Sequence, residues 1–409
     1  MKSANGFIIL AIQALILWLF QYYLSPTLLY ASAFGTSQTP HFVHWLAYIP
    51  GILLIGYFVP TVYRGYFYFL AVLVTLQNVF LALTIITLSA LFFTATKFRK
   101  ESKTASVLLY LFVCGGVASS GFLFLRNSSP WMWLWLMIHV TWGLKMLAWV
   151  TSVRIYKYSF SYKDFLDYFF NPVFFFFTND LNVLTPKRFL DSAVHKPRKN
   201  QKLGECLLLL LNGLLLLVAY GVLQRYYFMN LPQVGGWSHS IIGGLISIVT
   251  AIVFHAANVF IQISLLRAQG YDLVVDMDKP WLASSPMDYW KRMHFYVREY
   301  IFEIIVRPVL TTMLRYQKST RLIKILSVVL LYFLFTCTQL GYQPFRQDRP
   351  WQVGFLVTGV FMAMIIVPEY LSRQVQFEVF FKHKYLGRVL TFAILWIGYS
   401  LIFSFRSGF

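Results

Sequence analysis

The chain has 409 residues, of which 58% are hydrophobic and only 12% are charged, and its mean hydropathy is +0.62. A soluble domain carries about 25% charged residues, so this composition excludes an ordinary soluble globular protein and indicates a polytopic membrane protein. The formal net charge of +20 does not indicate nucleic-acid binding, because the lysines and arginines cluster between apolar runs, as the positive-inside rule expects of cytoplasmic loops.

Long apolar runs predict the membrane crossings. One crossing takes about 20 apolar residues, because the hydrocarbon core of a bilayer is about 30 Å thick. The sequence predicts ten crossings, near residues 7–33, 43–62, 67–97, 105–125, 131–152, 205–229, 240–266, 322–342, 351–371 and 389–405. We therefore expect an all-α polytopic membrane protein in which residues 1–409 form a single integral membrane domain.

The basic residues predict which loops face the cytoplasm. If the basic run Lys97–Lys103 is cytoplasmic, alternation of the crossings puts residues 153–204, 267–321 and 372–388 on the same side. These three segments hold most of the remaining charge, so the assignment is self-consistent.

One cytoplasmic segment contains an apolar block that is too short to cross. Asn171 and Pro172 are followed by a run of phenylalanines, and a basic stretch from Lys187 to Lys202 comes after it. We expect a re-entrant or interfacial element here, with its free backbone groups buried against protein. The basic stretch either attracts anionic headgroups or binds the phosphates of an acyl donor.

The seventh crossing carries three polar residues on one helical face. His255, Asn258 and Gln262 are spaced by three and four residues, which aligns them along one side of a helix. Such a stripe at membrane depth is typical of a polar cavity. His255 alone would also fit an ordinary buried histidine.

The most informative stretch runs from Pro280 to Phe302. Ser285, Pro286 and Asp288 supply an N-cap hydroxyl, a proline at the first helical position and a capping carboxylate, so a helix is predicted to begin here. Trp290 and His294, four residues apart, then share a face of that helix.

Three segments together resemble the membrane-bound O-acyltransferase family, in particular its bacterial branch that acylates alginate, cellulose or teichoic acid. The turn Leu266-Arg267-Ala268-Gln269-Gly270-Tyr271 is similar to the family's turn after its polar transmembrane stripe. The entry Lys279-Pro280-Trp281-Leu282, the segment Tyr289-Trp290-Lys291-Arg292-Met293-His294 and the tail Val297-Arg298-Glu299-Tyr300-Ile301-Phe302 follow in the family's order. The resemblance implies a helical fold with a central tunnel, divided into N-terminal helices (1–152), a core (153–345) and C-terminal helices (346–409).

The resemblance also implies a reaction. The family moves an acyl group from a thioester, acyl-CoA or an acyl carrier protein, to a hydroxyl of an envelope glycan or lipid, with a histidine as general base. His294 matches one family position, and Gln339 stands where the family has its principal histidine. His255 is an alternative base. The candidate substrate-binding residues are Trp290, Arg292, Arg298, Asn258 and Gln262.

The implied surroundings follow from the same resemblance. We expect a multi-pass protein of the bacterial cytoplasmic membrane, with the lipid bilayer, an acyl carrier protein and an extracytoplasmic acyltransferase or glycan as candidate partners. No bound cofactor is expected beyond the thioester co-substrate. No metal site is expected either, because the three cysteines lack metal-ligand spacing.

Three functional readings remain open at the level of sequence. No histidine occurs between residues 295 and 382, and a glutamine such as Gln339 cannot accept a proton at neutral pH. Loss of a general base typically lowers the reaction rate by a factor of about 10² to 10⁴. The chain is therefore an acyltransferase with a rearranged site, or a non-catalytic subunit that binds an acyl chain, a glycan or a partner protein. A transporter or channel built on the same tunnel is the third reading.

Overall fold

The structure, a computed structural model, describes residues 4–23, 51–75, 86–96, 144–173, 184–194, 203–230, 237–307 and 384–407, apart from positions 57, 61–62, 88, 91, 95, 276 and 294 within these ranges. Helices make up the regular structure of these residues, and no strand occurs among them. The predicted all-α class is thus confirmed for the part of the chain that the structure describes.

Nine α-helices are named below, in chain order. They are α1 (Ala4–Tyr23), α2 (Arg64–Thr75), α3 (Tyr162–Phe170), α4 (Pro186–Val194), α5 (Leu203–Asn230), α6 (Trp237–Ala268), α7 (Pro286–Met293), α8 (Phe295–Tyr300) and α9 (Lys384–Ser407). Short π-helical segments cover Thr151–Ile155 and Ile301–Val306, and a 3₁₀ turn covers Pro280–Leu282.

Two of these helices are long and apolar enough to cross a membrane. The apolar parts are Gly204–Leu223 of α5 and Ser240–Ala268 of α6, with 20 and 29 residues. They coincide with the crossings predicted at 205–229 and 240–266. Helix α9 covers the crossing predicted at 389–405, and α1 covers part of the first. The predicted crossings 105–125, 322–342 and 351–371 lie outside the described residues.

The chain divides into two compact units. The first comprises Met1–Leu215 and Asn258–Val274, and the second comprises Leu216–Ala257 and Val275–Phe409. The two long helices α5 and α6 each supply residues to both.

An aromatic core in the first unit forms around α3. Ser161 begins this helix with a capping box, in which its hydroxyl accepts from Asp164 N at 3.2 Å and the Asp164 carboxylate accepts from Ser161 N at 2.8 Å. The helix so positioned turns Phe165 and Phe169 towards Trp149, whose ring centroid lies 5.2 and 6.1 Å from theirs. All three rings are buried. Burying each aromatic side chain contributes about 1.5–3 kcal/mol.

Helix α2 packs on α3 at a glycine. A Cβ atom added at Gly65 would lie 2.7 Å from Lys163 O and 2.8 Å from Asp167 N. Only a residue without a side chain permits this approach of one backbone to the other. The contact sets the distance between the two helices and therefore the positions of the polar side chains Arg64 and Tyr68 of α2 relative to Asp167 of α3.

A buried hydrogen-bond chain ties α1 to the long helices. Gln13 Nε2 donates to Ser264 Oγ at 2.7 Å, and the Ser264 hydroxyl donates to Cys206 O at 2.6 Å. All three residues are buried. Polar contacts of this kind hold apolar helices in register where the surroundings offer no competing water.

In the second unit, α9 packs against the first half of α6. Trp396 Nε1 donates to Ile241 O at 2.9 Å, and Gly244 faces the backbone of Ser400, with no room for a side chain. Tyr220 of α5 packs on Phe254 of α6 with ring centroids 4.7 Å apart. Close glycine contacts of this type are common where apolar helices meet.

Candidate functional site

The predicted start of α7 is confirmed. The helix begins at Pro286, and Asp288 N donates to Ser285 Oγ at 3.1 Å. The Asp288 carboxylate accepts from Ser284 N, also at 3.1 Å, one residue before the cap rather than at the cap itself. The local sequence therefore fixes where the helix begins and which way its side chains face.

Arg292 is engaged within this element. Its Nε donates to Asp288 Oδ2 at 3.0 Å, and its Nη1 lies 3.4 Å from Asp278 Oδ2. Asp278 N in turn donates to Arg292 O at 2.9 Å. Two carboxylates thus neutralise the guanidinium, and it ties the end of α7 to the loop before it.

The other predicted binding residues of this region differ in exposure. Trp290 is 4% exposed and Arg298 is half-buried. Tyr289, beside Trp290, is 2% exposed, and its hydroxyl has no hydrogen-bond partner among the described residues. Burial raises the pKa of the Tyr289 hydroxyl well above its usual value, so it remains a neutral donor at physiological pH.

The polar stripe of α6 is buried. His255, Asn258 and Gln262 are 5%, 2% and 0% exposed. Polar side chains buried at membrane depth avoid the cost of facing lipid and usually turn towards the bundle interior. His255 belongs to the second unit and the other two to the first. His294 and Gln339, the two other predicted catalytic residues, lie outside the described residues.

The structure also brings together a buried polar cluster that the sequence did not predict. We call it the Asp167 cluster, and its side chains come from α2, from α3 and the residue after it, and from the turn after α6. Its members are Arg64, Tyr68, Asp167, Asn171, Gln269 and Tyr271, all at most 7% exposed.

Hydrogen bonds connect the cluster's members. Tyr271 OH donates to both carboxylate oxygens of Asp167, at 2.9 and 2.7 Å. Arg64 Nη1 donates to the backbone oxygen of Gln269 at 2.8 Å. The side-chain oxygen of Gln269 accepts from Tyr68 OH at 3.0 Å and from Asn171 Nδ2 at 3.3 Å.

A helix C-cap delivers two of these residues. After α6 ends at Ala268, Gly270 adopts a φ of +100°, and Tyr271 N donates to Leu266 O at 3.0 Å. Gly270 N donates to Arg267 O, also at 3.0 Å. This pair of bonds is the Schellman motif, in which glycine supplies the left-handed residue. The motif reverses the chain, so that Tyr271 points back at Asp167.

The Asp167 carboxyl titrates under opposing influences. Burial raises its pKa above the usual value, while the Tyr271 hydrogen bond and the Arg64 charge oppose that rise. A buried carboxylate is tolerated when donors and a nearby cation compensate it. The cluster therefore joins the helices through hydrogen bonds around a buried carboxyl, and this carboxyl can also bind a proton.

Lys145 lies near the cluster in the same unit. It is 0% exposed, and its Nζ donates to Tyr168 O at 2.8 Å while lying 5.0 Å from the centroid of the Tyr168 ring. Tyr168 OH donates to Leu184 O at 2.6 Å. The lysine thereby connects the helical residues 144–150 to α3, and Tyr168 connects α3 to the segment before α4.

The sequence holds partial signals for this site. Asp167 and Asn171 lie in the predicted re-entrant element, and Gln269 and Tyr271 lie in the turn that carries the family resemblance. Arg64 stands between the predicted crossings 43–62 and 67–97, and their predicted alternation puts it on the side opposite to Gln269. That part of the predicted topology is wrong, because Arg64 bonds Gln269 directly. Its partner Gln269 is 205 positions away, so no local pattern could have paired them.

Comparison of this chain with the models of known protein families and with curated protein sequences finds no match.

Proposed function

We propose that this chain is a multi-pass membrane O-acyltransferase that moves an acyl group from a thioester to a hydroxyl of an envelope glycan or lipid. The proposal includes several membrane crossings, a tunnel through the helices and a position in the bacterial cytoplasmic membrane. It rests on the family resemblance over residues 255–302.

The observation that carries the proposal is the burial of His255, Asn258 and Gln262 on a helix long enough to cross a membrane. An acceptor hydroxyl deep in a membrane protein needs polar side chains that line the interior rather than face lipid. The capped helix α7 adds support, because it begins where the resemblance requires the histidine-bearing segment to begin.

The proposed reaction needs three groups. A histidine takes the proton of the acceptor hydroxyl, the resulting oxygen attacks the thioester carbonyl, and the thiol leaves with a proton when the tetrahedral intermediate collapses. We assign the base to His294, with His255 as the alternative. Asn258 and Gln339 are candidate hydrogen-bond donors to the acceptor or to the developing oxyanion.

The substrates follow from this assignment. The donor is acyl-CoA or an acylated carrier protein on the cytoplasmic side, and the acceptor is a glycan or lipid of the cell envelope. Trp290 and Arg298 are proposed to bind the donor, and Gln262 is proposed to bind the acceptor. Arg292 forms the ion pairs with Asp278 and Asp288 that hold α7 to the loop before it.

Mass spectrometry of envelope glycans and lipids tests the proposal. A strain that lacks this chain is complemented with the wild-type chain or with His294→Ala, His255→Ala or His239→Ala. His239 lies in the first turn of α6, before the apolar part of that helix, and serves as the matched control. We expect one acylated species to disappear with His294→Ala or His255→Ala and to persist with His239→Ala.

A second candidate function is a non-catalytic subunit of an envelope-modification complex. The absence of histidine between residues 295 and 382 favours it. The same strains separate the two. If deletion abolishes an acylated species and both histidine variants restore it, the chain supports acylation without catalysing it. If deletion changes no acylated species, both candidates are wrong.

A further inference from the structure

Around the turn before α7, the second unit exposes cations and aromatic rings together. Lys279 and Lys291 are exposed, Trp281 is 63% exposed, and Tyr385 at the start of α9 is 78% exposed. We call these four residues and Arg388 the basic–aromatic surface.

Hydrogen bonds hold the parts of this surface side by side. Arg388 Nε donates to Leu282 O at 3.3 Å, which joins α9 to the 3₁₀ turn that carries Trp281. The bond from Asp278 N to Arg292 O joins the same turn to the end of α7, next to Lys291. The Arg388 guanidinium also lies 5.7 Å from the centroid of the Tyr385 ring.

Lys279 occupies a strained backbone position. Its φ is +45° and its ψ +62°, in the left-handed region where glycine has no steric cost. A lysine in this conformation costs about 1–2 kcal/mol, and backbone strain of this kind concentrates at binding sites. Lys157 is the other lysine with a left-handed backbone among the described residues, but it has no exposed aromatic ring and 3₁₀ turn directly after it. The strained turn also directs Pro280 inward, where it is buried, and leaves Trp281 outside.

The charge of the surface favours an anionic partner. Arg292 is already neutralised by Asp278 and Asp288. Arg292 is therefore not counted in the surface, whose cations are Lys279, Lys291 and Arg388. Arg388 lies over the Tyr385 ring, and Lys279 is two positions before the exposed Trp281. Aromatic rings with one polar end and cations are enriched together at the boundary between headgroups and hydrocarbon.

The helix that carries Tyr385 and Arg388 indicates that the anionic partner is a membrane rather than a soluble protein. From Tyr385 onward, α9 is apolar to Leu401, and its exposed side chains include Val389 and Phe392. The basic–aromatic surface is therefore followed at once by a helix whose outer face suits hydrocarbon. A soluble acidic protein would not need that apolar continuation.

We propose that the basic–aromatic surface binds the phosphate groups of anionic phospholipids at the membrane boundary. Lys279, Lys291 and Arg388 contact the headgroups, and the rings of Trp281 and Tyr385 lie at the depth of the glycerol backbone. The binding fixes how deep the start of α9 sits in the membrane. It is independent of the acyl-transfer proposal.

Lipid binding by the purified full-length chain tests the proposal. The chain in neutral detergent is titrated with mixed micelles that contain dioleoyl-phosphatidylglycerol or dioleoyl-phosphatidylcholine, and native mass spectrometry counts the retained lipids. Each cation near a membrane surface contributes about fivefold to anionic lipid binding. We expect Lys279→Gln with Lys291→Gln to weaken phosphatidylglycerol binding about 25-fold and to leave phosphatidylcholine binding unchanged.

Two controls make the outcome decisive. Arg307→Gln removes an exposed cation paired with Glu303 at 2.7 Å elsewhere in the same unit, and we expect no loss of phosphatidylglycerol. Lys279→Gly relaxes the backbone and removes the charge, so we expect a higher unfolding temperature together with weaker phosphatidylglycerol binding. The proposal is overturned if the double variant binds phosphatidylglycerol like the wild type, or if Arg307→Gln loses as much as the double variant.

Discussion

Replacing Tyr271 by phenylalanine isolates the central hydrogen bond of the Asp167 cluster. The phenylalanine ring preserves the stack on Phe189, whose centroid lies 4.7 Å away at an interplanar angle of 22°. What is lost is the hydroxyl that donates to both oxygens of Asp167, at 2.9 and 2.7 Å. A hydrogen bond to a charged group contributes about 1.5–3 kcal/mol, and its partner here is left buried. We therefore expect the free energy of unfolding to fall by about 1.5–3 kcal/mol.

The assay is denaturant unfolding in detergent micelles, followed by tryptophan fluorescence. Tyr63→Phe is the matched control, since Tyr63 is 61% exposed in the same unit and an exposed substitution changes stability by at most about 0.5 kcal/mol. A double-mutant cycle with Asp167→Asn should give a coupling energy of about 1–3 kcal/mol, as for residues in one hydrogen-bond network. A cycle that closes without coupling would refute the assignment of this contact as the cluster's centre.

The same contact makes a prediction about pH. Because burial raises the pKa of Asp167, the folded chain binds a proton where the unfolded chain has released it. The stability from this group is then complete below the ordinary carboxyl pKa of about 3.9 and is lost as the pH rises through the folded value. Tyr271 opposes the rise, so Tyr271→Phe should cost more in alkaline than in acidic buffer. An equal cost in both buffers would contradict this.

Three further substitutions test how the fold positions the site. Gly65→Ala puts a Cβ atom 2.7 Å from a backbone oxygen of α3, and we expect a loss of about 1–3 kcal/mol, whereas Gly204→Ala, which has nothing within 4 Å, should be neutral or stabilising. Gly270→Ala forces alanine to a φ of +100° and should lower the unfolding free energy by at least about 1 kcal/mol; a neutral result would exclude the Schellman turn. Ser285→Ala removes the cap of α7 and should cost about 1 kcal/mol, measured by the same unfolding assay.

The sequence predicts the long helices well, for a simple physical reason. The apolar runs at 205–229 and 240–266 each have the length that a membrane-crossing helix requires. Helices α5 and α6 accordingly cover both. The start of α7 was equally predictable, because a cap depends on side chains within four positions of each other. In both cases the determining interaction is local along the chain.

The Asp167 cluster could not be predicted by the same means. Its bonds join positions about 100 to 200 apart along the chain, and no periodicity reports such pairing. The predicted re-entrant element includes Asn171, but nothing in that prediction indicates Gln269 as its partner. Gly270 was the best available signal, since glycine directly after a long apolar helix predicts a C-cap. Even with this cap predicted, the sequence does not indicate that Tyr271 donates to Asp167.

The Asp167 cluster and the backbone at Lys279 both lower local stability, and they do so differently. At the Asp167 cluster the cost of burying charge is met inside the protein, by Tyr271 and the Arg64 charge. At Lys279 the backbone is left-handed and the side chain is exposed. A compensated cost maintains a structure, because removing either partner harms folding. Backbone strain is held in place by the surrounding structure and concentrates at binding sites. By this reasoning the cluster holds the helices together, while the turn at Lys279 serves binding, and substitutions should damage stability at the first and lipid affinity at the second.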